Sequence, residues 1–331
     1  MDEKITHFLD SNHIEYAENI SLAKKTWIHR GPVVPFYILP SGVDELRSVV
    51  EFLYINKKDF KVIGHTSNLY FKDTFSTDAI ISTRKMTAFR KKEGKLICDA
   101  GVNVTQLSKY CVERGIKGFE GLVGLPGTVA AAVVNNSSCF KCSINELLTD
   151  VDVIQYESDG ICCFRTLKRE ELGLSHRSSA IKRKEMNAIV LQVRLSINTT
   201  TDIEDLKQKA QHNIDLRTKT QEGKALNLGS IYAGRKSRPL GIFDLGILKF
   251  PLVLTLRVVD HFCWHKESYK LKRNSYLLSL FGYKDVIPYV SPKNINCFIW
   301  KDNGADCAFV RYDTFMHECF ECGEMEIEIC K

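Results

Sequence analysis

Residues 118–136 read GFEGLVGLPGTVAAAVVNN, and this stretch decides the fold. Glycine stands at 118, 121, 124 and 127, proline at 126, and a run of small residues follows. Glycine at this density opens backbone angles closed to other residues and lets a ligand lie directly on the main chain. The segment is therefore expected to be neither an ordinary core strand nor an ordinary core helix. Ala130, Ala131 and Ala132 continue the surface with minimal side chain. A bulky, flat ligand on bare backbone points to a nucleotide cofactor; the plainer reading is a glycine-rich turn between packed strands.

Composition narrows the class. The chain has 331 residues, 44% hydrophobic and 26% charged, as expected for a soluble globular protein of two or three domains. Its net charge of +6 is scattered, apart from a cluster at residues 182–184, whereas a nucleic-acid protein would concentrate it in a stripe. A mild positive excess suits an anionic small substrate. No apolar run is long enough for a membrane span, and the polar start MDEKITHFLD does not read as a signal peptide. The expectation is a cytoplasmic protein with no nucleic-acid, membrane or obligate protein partner. The twelve cysteines are then expected to be reduced thiols. Cys139/Cys142 and Cys319/Cys322, the latter near His317, form two CxxC pairs, a spacing that zinc sites use. The pairs lie far apart in the chain and the first adjoins the glycine run, so no metal site is expected.

Hydrophobic periodicity outlines the elements. Residues 1–20 read as peripheral helix, 36–39 (FYIL) as strand, and 43–56 as a helix with apolar Leu46, Val49, Val50 and Leu53 on one face. Strands are expected at 60–63, 79–81, 96–98, 151–155, 160–164 and 188–197, the last two with partial alternation, and helices at 104–114 and 206–218. The polar segment 199–205 (TTTDIED) marks the main boundary. There is no GxGxxG after the first strand and no Walker motif, so a Rossmann domain is not indicated. The second informative loop is 64–69, GHTSNL, where a strand runs into small hydrogen-bonding residues. Successive backbone N–H groups in such a turn form an anion-binding concavity, although small polar residues also fill ordinary turns.

Taken together, the motifs resemble one family. GHTSNLYFKD (64–73) resembles the GxGSNxLxxD loop of the UDP-N-acetylenolpyruvoylglucosamine reductases, and GLVGLPGTVAAAVVNN their SGIPGTVGGAVxMN segment. SHRSS (175–179) is similar to YRxS, NLGSIY (227–232) to xAGSFF, VSPKNIN (290–296) to VSxKHAN, and GEMEIEI (323–329) to GxxLEPEV. The motifs occur in the family's order over nearly the whole chain. The resemblance implies an α+β protein: an FAD-binding domain of the vanillyl-alcohol-oxidase (PCMH) type followed by a smaller α+β substrate domain. It divides the chain into residues 1–75 and 76–198, the two parts of the FAD domain, and 199–331, whose last strand (325–330) returns an acid to the flavin. It implies FAD as cofactor, NADPH as co-substrate and a nucleotide-sugar substrate whose enolpyruvyl group is reduced.

Residue by residue, the resemblance carries the cofactor site onto Gly64, His65, Thr66, Ser67, Asn68, Leu69, Gly124, Pro126, Gly127, Thr128, Ala131 and Asn136. It gives Arg177, Ser230 and Glu328 the catalytic roles and His176, Tyr232, Arg235 and Asn296 contacts to substrate. The residue types suit the chemistry. Hydride addition to one carbon of an enolpyruvyl group builds negative charge on the other carbon and the carboxylate, so the site needs a cation and a proton donor. Each residue also has a plainer reading: Arg177 as a surface arginine, Ser230 as a capping or turn serine, Glu328 as an edge-strand acid facing solvent.

Departures cluster around the ligands. Ala130 and Ala131 stand for two glycines, His65 for a glycine of the phosphate loop, and His176 for the tyrosine of YRxS. Ala233, Gly234 and Arg235 replace the family's lysine-asparagine-proline, Asn294 replaces histidine, and residues 250–276 match nothing in the pattern. The alternatives to the family's own reaction are a diverged reductase of another enolpyruvyl or nucleotide-sugar substrate, and a flavin-binding protein without this catalysis.

Overall fold

The computed structural model describes residues 2–156, 162–223, 225–234, 236–237, 242–263 and 267–331. Its contacts divide the chain into one unit of Met1–Leu216 with Cys330–Lys331, and a second of Arg217–Ile329.

The first unit carries two sheets. Helix α1 (Glu3–Ser11) begins at Asp2, whose carboxylate accepts the Lys4 N–H. The expected helix through residue 20 stops there. Residues 16–21 instead form strand β1 (Tyr16–Ser21), paired antiparallel with β2 (Val33–Ile38). An unpaired edge of β2 outweighs the local helical pattern, because the ladder satisfies the backbone of YAENIS. Helix α2 (Val43–Ile55) follows as expected and buries Leu46, Val49, Val50 and Leu53. Such burial contributes roughly 1.5–3 kcal/mol per large aliphatic side chain. Strands β3 (Phe60–Ile63), β4 (Leu69–Phe71) and β5 (Ala79–Ser82) come next. The first sheet has the order β1-β2-β5-β3, with β5 parallel to both neighbours.

The second sheet is antiparallel. Strands β6 (Phe89–Lys92) and β7 (Lys95–Asp99) lead into helix α3 (Val104–Glu113). After the glycine run come a short helix α4 (Val129–Val134), a hairpin of β8 (Ser138–Cys139) and β9 (Cys142–Ser143), and helix α5 (Ile144–Leu147). Strands β10 (Leu148–Tyr156), β11 (Cys162–Lys168) and β12 (Ala188–Ser196) complete the order β11-β10-β12-β7-β6. The partial alternation of 188–197 has a local cause. The β10–β12 register shifts between Asp152 and Val153, leaving Leu191 as an extra residue. Before that bulge Ala188 and Val190 face one core; after it Val193 and Leu195 do. Ile189 and Leu191 face the other, with α1, α2 and the first sheet. One inserted residue exchanges the faces of a strand. Helix α6 (Ile203–Thr220) buries Leu206 and Ala210 against Val112 and Val123 of the first unit.

In the second unit, strand β13 (Lys236–Ser237) pairs with β14 (Phe320–Glu321). Helices α7 (Ile242–Cys263) and α8 (Glu267–Leu280) include residues 250–276, the stretch without a counterpart in the family pattern. Val253 of α7 packs with Phe250, Leu280 and Phe281. Helix α9 (Ala305–Cys319) lies against an aromatic core in which Phe298 meets Trp300, Phe309 and Tyr312 at centroid distances of 4.8–5.2 Å. The last strand, β15, is Glu328–Cys330; its final residue, Cys330, belongs to the first unit, where its carbonyl accepts the Lys72 N–H.

Candidate active site

The loop at 64–69 and the glycine run, distant in sequence, meet in the first unit. A Cβ on Gly64 would lie 2.6 Å from Thr128 Oγ1, and one on Gly127 would lie 3.3 Å from Ser67 Oγ. Gly127 also has φ +120°, a conformation that L side chains rarely adopt. Its carbonyl accepts the Val104 N–H, and Asn103 bridges to Thr128. Thr128 caps α4 through its hydroxyl, which accepts the Ala131 N–H. The glycine run is thus turns followed by a short helix of six residues, neither a core strand nor a long core helix. Three consecutive alanines after a threonine cap favour that turn of helix. Ala131 lies on it, while Gly124 (φ +84°) and Pro126 shape the turn before it.

The loop at 64–69 keeps its bend by an unexpected residue. His65 was the expected departure, but the left-handed position is Thr66, with φ +60°. A β-branched residue there costs roughly 1–2 kcal/mol. The Thr66 side chain is buried, and its hydroxyl accepts the Trp27 N–H and donates to the His65 carbonyl. Those bonds hold the strained turn. The His65 ring lies beside the Asn103 amide, Nδ1 to Nδ2 3.3 Å. Burial, and then the charge of Arg84, hold its pKa below the ordinary histidine range. Ser67 and Asn68 are half-buried in the same loop, and Leu69 begins β4.

The HRSS motif is tied to the end of the glycine run. Ser175 and Ser178 exchange backbone hydrogen bonds, and Arg177, between them, has φ +55°. Asn136 Nδ2 donates to the Ser175 carbonyl, and Ser179 Oγ to the Val134 carbonyl. His176 is exposed and Arg177 half-buried.

In the second unit, Ile231, Tyr232 and Ala233 lie between two other segments. Ala233 N–H donates to the Glu324 carbonyl, and Glu326 N–H to the Ile231 carbonyl, at 2.9 and 2.8 Å. On the opposite side Asn296 clamps Tyr232. Its Oδ1 accepts the Tyr232 N–H at 3.0 Å and its Nδ2 donates to the Tyr232 carbonyl at 2.8 Å. Ile231 N–H donates to the Asn296 carbonyl. Ser230 immediately precedes this ladder and is half-buried; Glu328, two residues beyond Glu326, is exposed. The Tyr232 hydroxyl donates to Asp313, and burial followed by that bond pushes its pKa up. Arg235 lies outside the described residues. Ser230 and Glu328 belong to the second unit and Arg177 to the first.

Sequence reading missed Asn103, Arg84 and Trp27 as supports of the loop at 64–69. Asn103 had a legible signal, since Asn-Val-Thr-Gln is a helix-capping sequence and its Oδ1 does accept the Gln106 N–H. The twelve cysteines are unlinked thiols, with Cys139 directly opposite Cys142 across the β8–β9 hairpin. Among the described residues no group of three or more His, Cys, Asp or Glu side chains could hold a metal ion, and no helix is long and apolar enough to cross a membrane.

A cradle of bare backbone, closed where Gly64 meets Thr128, suits a dinucleotide. Asn136 Oδ1 supports this fit, because it is a buried acceptor without a hydrogen-bond partner among the described residues. The α+β domain is that of an FAD-dependent oxidoreductase. A family model for the FAD binding domain matches residues 34–161. The UDP-N-acetylenolpyruvoylglucosamine reductase of Prochlorococcus marinus (strain MIT 9313) is 31% identical over 232 residues, 67% of this chain and 74% of that protein. That of Caldicellulosiruptor saccharolyticus is 25% identical over 240 residues, 72% and 74% of the two chains. The crystal structure of the Thermus caldophilus reductase shares the fold, with a TM-score of 0.65 at 18% identity over 96% of this chain and 99% of that one. The chain belongs to the UDP-N-acetylenolpyruvoylglucosamine reductase family, and its cofactor is FAD.

Proposed function

We propose that the protein reduces the enolpyruvyl group of UDP-N-acetylglucosamine enolpyruvate to the lactyl ether of UDP-N-acetylmuramate, with NADPH as hydride source, in the cytoplasm, for peptidoglycan precursor synthesis. The reading of the site rests on one observation beside family membership: the antiparallel backbone ladder of Ile231–Ala233 alongside Gly323–Glu326, from whose one end the chain leads to both the serine and the acid the chemistry needs. Residues 64–69 and 124–131, with Asn136, would hold FAD. When bound, FAD would supply the hydride-transfer chemistry that links NADPH to the enolpyruvyl double bond.

The chain's own residues handle charge and proton. Arg177 stabilises the negative charge that develops on the substrate carboxylate and enolate. Ser230 donates its hydroxyl proton to the carbanionic carbon. A serine hydroxyl is a weak acid, so a charged group is required to assist it, and Arg177 and Glu328 are the candidates. His176, Tyr232, Asn296 and Arg235 are the candidates for gripping the nucleotide sugar.

One observation favours a second reading, reduction of a different enolpyruvyl substrate. The polar groups of Tyr232 and Asn296 are engaged with Asp313 and with the Tyr232 backbone, so two of those four candidates are already occupied. Anaerobic absorbance separates the readings. The purified protein is expected to be yellow, to bleach with NADPH, and to regain its colour when UDP-N-acetylglucosamine enolpyruvate is added. Bleaching without recovery on that substrate favours the second reading, and a colourless protein that FAD cannot reconstitute overturns both.

A further inference from the structure

We propose that Arg183 is a positioning residue for the turn that presents Arg177; the proposal rests on the catalytic reading of Arg177 given above. Arg177 sits in the left-handed region, at φ +55°, which costs a non-glycine residue roughly 1–2 kcal/mol. Two backbone bonds between Ser175 and Ser178 close the turn, and Asn136 and Ser179 tie it to the end of the glycine run. Arg183 braces the turn across its two serines. Its Nη1 donates to Ser175 Oγ at 3.3 Å and Ser178 Oγ at 3.4 Å, one on each side of His176-Arg177. Its Nη2 donates to the Gly173 carbonyl at 3.1 Å and to Glu185 Oε2 at 2.7 Å, and its Nε to Glu185 Oε1 at 2.8 Å.

Those contacts account for all five N–H groups of a guanidinium. None remains for a substrate, so Arg183 acts through the turn. Glu185 grips the fork from behind, which fixes the plane in which the two Nη1 bonds lie. The Glu185 side chain is 58% exposed, so this pair contributes geometry far more than stability. Gly173 leaves room for the fork: a Cβ there would stand 3.2 Å from Arg183 Nη2. The adjacent Lys182 Nζ donates to the Arg177 carbonyl at 3.0 Å, a second tie on the strained residue itself. Lysine at 183 would bring a point charge with three donors in place of a rigid fork and could not span both serines and Glu185.

The test follows each half-reaction by stopped-flow absorbance. Arg183→Lys is expected to slow recovery of flavin colour on addition of substrate by about 10–100-fold, the usual effect of removing a group that orients a functional one. Bleaching by NADPH and FAD content are expected to be unchanged. A merely structural role would lower FAD content and slow both halves together, and that result overturns the proposal. The Arg177→Lys background is the second arm: there, adding Arg183→Lys is expected to cost nothing further, because the two residues act as one device. A full additional loss in the double variant sinks the idea. Glu185→Gln loosens the same fork from its exposed side and is expected to slow recovery of flavin colour to a smaller degree with FAD content unchanged; loss of FAD in both variants counts with the structural outcome and overturns the proposal. If Arg177→Lys alone leaves recovery unchanged, the catalytic reading of Arg177 fails; if it slows recovery while Arg183→Lys does not, only the positioning role fails.

Discussion

The side-chain amide of Asn136 donates to the main-chain carbonyl of Ser175 across 2.6 Å. This bond joins the last residue of the glycine run to the turn bearing Arg177. Asn136 has φ +43°, a conformation asparagine tolerates better than most residues. Asn136→Ala loses the bond and strains the backbone, a combined loss of about 2 kcal/mol. It is expected to lower Tm by several degrees and to weaken FAD retention; Asn136→Gly recovers only the backbone part. A thermal melt and FAD titration of the alanine variant matching the parent would show that the bond matters little.

Gly64→Ala tests the closure of the cradle. The added methyl meets Thr128 Oγ1 at 2.6 Å and Cγ2 at 2.9 Å, so the cap of α4 must shift. FAD affinity is expected to fall by about tenfold or more, the equivalent of about 1.4 kcal/mol. Because both colliding atoms belong to Thr128, Gly64→Ala with Thr128→Ala is expected to bind FAD better than Gly64→Ala alone. Fluorescence titration decides; equal affinity of Gly64→Ala and parent removes the close approach from the account.

Ser230→Ala is expected to slow recovery of flavin colour on substrate addition by roughly 10²–10⁴-fold, the range for loss of a proton donor. The rate of bleaching by NADPH should not move. Unchanged recovery would take Ser230 out of the mechanism.

Asn296→Leu leaves the Tyr232 N–H and carbonyl unpaired in a buried place, at about 1–3 kcal/mol for each group. Denaturant unfolding is expected to show the loss. Asn296→Asp keeps the acceptor for the Tyr232 N–H but faces the carbonyl with a carboxylate, and should fall between. Equal midpoints for all three proteins would show that the clamp does not hold the Ser230 segment.

His65 sets a pH dependence. Its pKa is held down first by burial and then by Arg84, so the folded protein binds the proton less readily than the unfolded chain. Stability from this residue is therefore complete above the unfolded value of about 6.5 and is lost as pH falls through the lower folded value. FAD-free protein is expected to lose Tm on going from pH 7 to pH 5, and His65→Gln to lose less. Parallel Tm curves for the two would contradict the assignment.

The comparison of loop and strand shows how much was legible. Glycine and small residues at 118–136 and the GHTSN loop pointed to a nucleotide cofactor, and the resemblance of the ordered motifs added the α+β class, FAD and the reductase family. Helix α2 was readable for the same reason: its apolar face repeats every three or four residues. Local pattern failed where a distant partner intervened. Strand β1 is a strand because β2 offers an edge, and the faces of β12 exchange at a bulge dictated by β10. The left-handed Thr66 is sustained by the backbone of Trp27, 39 residues earlier.

By itself, then, the sequence supplied the cofactor, the reaction class and the candidate groups through its resemblance to the family, with residue types that suit the chemistry. Only the tertiary structure decided that Gly64 closes on Thr128, that Asn296 clamps Tyr232, and that Asn136 and Arg183 brace the turn of Arg177. Those are hydrogen bonds and close contacts between segments tens of residues apart or around a strained turn, and they exist only once packing has fixed which backbone groups face one another.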